Sequence, residues 1–91
     1  MNGANNALMI EEPTPIQTLE SEITSIEDTH TNVVGLVQKL AASQLTLSEA
    51  GFEAFSKQVG DAFAALSMAA DTLQTAMHDA DLERNRIRNE A

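Results

Sequence analysis

Ninety-one residues, with three phenylalanines as the whole aromatic supply and no cysteine, allow one small domain at most and exclude a disulfide scaffold. The formal net charge is −9, and Lys39 and Lys57 are the only basic residues before position 84; nucleic acid and anionic membranes repel such a chain. Few glycines and prolines among many alanines and polar helix formers point to an all-α protein.

Residues 1–13, rich in asparagine and closed by Glu11, Glu12 and Pro13, are expected to form a flexible N-terminal arm. The apolar run Ala7–Ile10 is too short to cross a membrane, and the basic start of a secretory signal is missing. The expectation is a cytoplasmic protein, or one exported by a route that needs no cleavable signal, without membrane insertion. Thr14-Pro15-Ile16-Gln17 is a helix start: Thr14 can cap, Pro15 suits the first helical position, and Gln17 completes a capping box. Ile16, Leu19, Ile23, Ile26, His30, Val33, Val37 and Leu40 then fall at alternating steps of three and four. That spacing lays one narrow apolar stripe along a helix, the seam of a coiled-coil-like contact, over about 15–42. Thr24, Thr29, Thr31, Asn32 and Gly35 are mediocre helix formers, so packing has to stabilise this segment.

Ser43-Gln44-Leu45 is the expected connection. Thr46-Leu47-Ser48-Glu49 has the form of a second capping box, which starts the second helix near residue 47 and runs it to about 88, with 89–91 as a tail. A short connection folds two helices back antiparallel. The second helix would then overhang the first by roughly 15–20 Å, from about residue 76 onward. Its stripe is expected to carry Phe52, Val59, Leu66, Leu73, Ala80 and Ile87 in one row and Phe55, Ala62, Ala69 and Ala76 in the other. Phe63, Ala70 and Met77 would widen it.

Chemistry is sparse. His30 lies at a seam position bordered by Ile26, Val33 and Val34, where a polar residue either fixes register or reaches the bundle edge. His78 and Asp81 share a face, but two groups do not hold a metal. Arg84, Arg86 and Arg88 complement the end of a helix dipole. No nucleophile stands near a base, no glycine-rich loop cradles phosphate, and no metal motif occurs, so neither catalysis nor a cofactor is expected. What remains is surface. Val34, Leu36, Leu47, Phe63, Met68 and Met77 cannot all enter one two-helix seam, and of these Val34, Phe63, Met68 and Met77 stand out. They are therefore candidates for a partner interface that pairs the hairpin into a four-helix assembly, with itself as a dimer or with another protein.

The pattern resembles the small acidic WXG (ESX-like) helical hairpins of type VII secretion, in which a Trp-x-Gly turn joins the helices. In the segment Ser48-Glu49-Ala50-Gly51-Phe52-Glu53-Ala54-Phe55, Gly51, Phe52 and Phe55 supply the turn motif, with Glu49 where the tryptophan would stand. Met77-His78-Asp79-Ala80-Asp81 resembles the family's C-terminal export signal, methionine replacing its aromatic residue. The chain is most similar to divergent hairpins that accompany LXG-type toxins. The resemblance implies a non-enzymatic targeting partner that binds the toxin's helical N-terminal region, with Met77 and Asp81 as its export motif. Other functions for such a hairpin are a self-assembling subunit, such as a type III needle-like protein, or a small acidic inhibitor.

Overall fold

The computed structural model describes residues 12–90; most of the expected N-terminal arm lies outside the described residues. Two helices, α1 (Pro15–Glu49) and α2 (Glu53–Glu90), pack against each other as an antiparallel hairpin. Among the described residues there is no strand, and no helix is long and apolar enough to cross a membrane.

The first capping box forms. The Gln17 N–H donates to Thr14 Oγ1 at 3.2 Å, and the Thr14 N–H donates to Gln17 Oε1 at 2.9 Å. Pro15 occupies the first turn, where its missing N–H leaves no bond unmade. Within the helices, Thr24, Thr29 and Thr72 turn their hydroxyls onto carbonyls one turn back, at 3.3, 3.0 and 3.0 Å. These polar side chains are thereby satisfied without leaving the helix.

The connection differs from expectation. Residues 43–45 and the second box Thr46–Glu49 all belong to α1, because nothing between Ala41 and Leu47 breaks a helix and Leu47 continues the apolar stripe. The stop is Gly51, at φ +88°. Its N–H donates to Ser48 O at 3.1 Å and the Phe52 N–H to Leu47 O at 2.9 Å, the paired bonds of a Schellman C-terminus, which needs a left-handed residue. Ser48 does not cap a new helix; its hydroxyl donates to the Glu53 carboxylate at 3.1 Å, across the turn. Helix α2 begins where the Phe52 carbonyl accepts the Ser56 N–H at 2.9 Å.

This shift removes the expected overhang. Helix α2 is the longer, but at 38 residues against 35. Extending α1 toward the turn moves the reversal, so that α1 flanks α2 almost to its end: Ile23 and Met77 line one cleft, and Arg88 pairs with Glu20. The expected tail is likewise helical through Glu90.

The α1 stripe sits in the seam as expected, extended by Gln44 and Leu47, all of it half-buried or buried. On α2 one row is Val59, Leu66, Leu73, Ala80 and Ile87, but the other is Ser56, Phe63, Ala70, Met77 and Arg84. Phe52, Phe55, Ala62, Ala69 and Ala76 are exposed. Both candidate rows alternate with the Val59 row by threes and fours, so spacing cannot choose between them. Size does: burying Phe63 and Met77 removes more apolar surface than burying Ala62 and Ala76. Near the turn, the Ser56 hydroxyl donates to the Gln44 carbonyl at 3.0 Å. Gly60 leaves room for the Gln44 amide, which a Cβ there would meet at 2.6 Å.

Two glycines give a contrasting expectation. Gly51→Ala forces a left-handed alanine and should destabilise by about 1–2 kcal/mol. A Cβ at Gly35 meets nothing within 4 Å, so Gly35→Ala should stabilise by about 1 kcal/mol through helix propensity. Urea denaturation of the two variants measures both signs.

Candidate partner interface

A two-helix hairpin has two broad faces, and here they differ. The first rows of the helices (Ile16, Ile23, His30, Val37 and Gln44; Ser56 to Arg84) lean toward one face, because the residues beside them on that side meet across the seam. On this face Glu20 pairs with Arg88. Three shallow clefts open on it, one with Gln44 and Ser56, one with Ile23, Gln74 and Met77, and one with Val34, Ser67 and Ala70 in its walls. The buried residues, Ile23, Ser56 and Ala70, all belong to these rows.

The second rows lean toward the opposite face. On α1 they are Leu19, Ile26, Val33, Leu40 and Leu47, on α2 Val59, Leu66, Leu73, Ala80 and Ile87. Every one of the ten is half-buried and none is buried. Leu36 (48% exposed) flanks them on α1, and on α2 Phe55 (57%) begins the exposed row Ala62, Ala69 and Ala76. An apolar strip thus runs the length of the hairpin, bordered on α2 by alanines that let another helix approach closely.

The four interface candidates do not share that surface. Val34 lies on the first face, Phe63 and Met77 are half-buried in the seam, and Met68 stands 70% exposed on the outer side of α2. The apolar strip was missed because its alanine row was assigned to the seam. Its signal was the seven-residue spacing of Phe55, Ala62, Ala69 and Ala76, in step with the Val59 row.

Gly51 forms the turn; Phe52 and Phe55 stand beside it with ring centroids 6.3 Å apart, tilted by 40°. His30 is half-buried in the α1 seam row. Asp81 pairs with Arg84 one turn away. Arg86 bridges Glu83, at 2.8 Å from its Nε, and Glu90, at 2.5 Å, and its guanidinium holds the Glu83 carboxyl below the usual range. With Arg88 on Glu20, each of the three arginines meets a carboxylate of the chain. Among the described residues no group of His, Asp and Glu is arranged to hold a metal ion. Compared with family models, curated proteins and solved structures, the chain gives no match.

Proposed function

We propose that the hairpin is a non-enzymatic helical partner protein that docks another helical segment on its second face, in the manner of the targeting partners of LXG-type toxins. The observation that carries this is the open apolar strip. A hairpin that, among the described residues, buries only the apolar side chains of Ile23 and Ala70 leaves most of its seam half-covered, and a further helical layer is what would cover it. The toxin's helical N-terminal region is the partner that the resemblance implies. Met77 and Asp81 are then the export determinant, one turn apart on the body of α2 and not on a free end.

Co-expression with the helical N-terminal region of an LXG-type toxin tests this. The expected product is a heteromer of fixed composition. Ala62→Glu/Ala69→Glu, which puts carboxylates on exposed positions of the strip, should weaken it by roughly 30-fold or more. Met68→Glu, on the outer side of α2, should leave it intact, and Asp81→Ala should stop toxin export while sparing the complex. A concentration-dependent ladder of homo-oligomers with no toxin bound would overturn the proposal in favour of a self-assembling subunit. Phe63→Asp is unsuited to this test, since Phe63 lies in the seam and its loss opens the hairpin itself.

A further inference from the structure

The rim of the second face is charged unevenly. In the two rows of seven-residue spacing beside the strip on each helix, those of Leu36 and Lys39 on α1 and of Ala62 and Gln58 on α2, positions 25–50 and 55–76 carry one charge, Lys39. At the open end these rows carry Glu22, Asp79, Glu83 and Glu90 against Arg86, all exposed. Arg86 is engaged by Glu83 and Glu90, so that trio keeps one net negative charge, and Glu22 and Asp79 add two more. From this charge pattern together with the apolar strip, and resting on the partner-binding function above, we infer the chemistry of the occupant. It is an amphipathic helical segment with bulky apolar residues along its length and a basic end, laid with that end at the open end of the hairpin.

A second copy of the chain fits less well. With both turns at the same end, it would set one acidic rim against another. With the turns opposed, it would offer that rim one lysine and a row of alanines. Either pairing joins two chains of charge −9. A basic-ended helix instead relieves the acidic rim, and its larger side chains fill the space over Ala62, Ala69 and Ala76. Charge at a rim sets orientation and salt dependence more than total affinity.

The test uses the full chain and two synthetic amphipathic peptides of about 28 residues, four heptads with the same leucine stripe. One carries lysines in its terminal heptad and the other glutamates. Calorimetric titration should show the lysine peptide binding at least about tenfold tighter at low salt, with the difference shrinking at high salt. Glu22→Gln/Asp79→Asn should bring the two affinities together. Equal binding of both peptides by the unaltered chain would overturn the inference about charge and leave the docking face standing. Binding of neither peptide would overturn the inference and the docking face together, and sedimentation of the chain alone as a dimer that Ala62→Glu/Ala69→Glu dissociates would overturn the inference by making a second copy the occupant of that face.

Discussion

Ile23→Ala should remove roughly half of the isolated chain's folding stability. Ile23 is 7% exposed, the most buried apolar side chain among the described residues, and removing its three methyl and methylene carbons costs about 2–4 kcal/mol in transfer and cavity terms. A domain of this size commands only about 5–10 kcal/mol in total, and one with so little buried apolar surface sits at the low end. Leu66→Ala makes the informative contrast. If Leu66 were fully buried, as its place in the expected seam implied, the substitution would cost about 2–5 kcal/mol. Leu66 is half-buried on the open strip, and the expected cost falls to about 1–2 kcal/mol. Urea denaturation of the two variants, followed by circular dichroism, decides between these values. Equal losses would mean that the second face of the free chain is already covered.

The parts of this structure that were legible are those in which local chemistry and periodicity agree. Thr14, Pro15 and Gln17 specify a helix start by mechanism, and the α1 stripe, with large residues at every third or fourth place, has one register. The turn was harder because two signals competed. Thr46-Leu47-Ser48-Glu49 can cap a helix, but a cap forms only where the chain leaves helical geometry, and the residues before it give no reason to leave. Gly51 does give one, since only a left-handed residue closes the Schellman bonds to Leu47 and Ser48. Misplacing the turn by seven residues produced the false overhang. It also put Phe52 and Phe55 in the seam, whereas they flank the reversal. The second row of α2 was ambiguous at the level of spacing alone. The half-covered strip stayed hidden as a result, since a row of alanines has the same spacing whether it packs inside a hairpin or stands exposed beside it.

The largest effect of all should appear when that face is filled. An isolated hairpin whose second rows are half-covered is marginal, and a ligand that binds only the folded state stabilises it by mass action. At a free concentration of 100 times Kd the gain is about 2.7 kcal/mol. For a domain this small, each kcal/mol shifts the midpoint by roughly 4–8 °C. The bound chain should therefore melt about 10–20 °C above the free one, at a midpoint that rises with partner concentration. If the occupant is another protein, as proposed, and not a second copy, the free chain at the same protein concentrations should melt at a fixed temperature. Ala62→Glu/Ala69→Glu separates binding from folding, since both positions are exposed and glutamate is a good helix former. Its free chain should melt within a few degrees of the parent, and its partner-induced shift should largely vanish. If the double variant lowers the melting of the free chain as much as that of the bound one, the alanine row belongs to the hairpin's own packing. The strip would then lose its claim to be a docking surface.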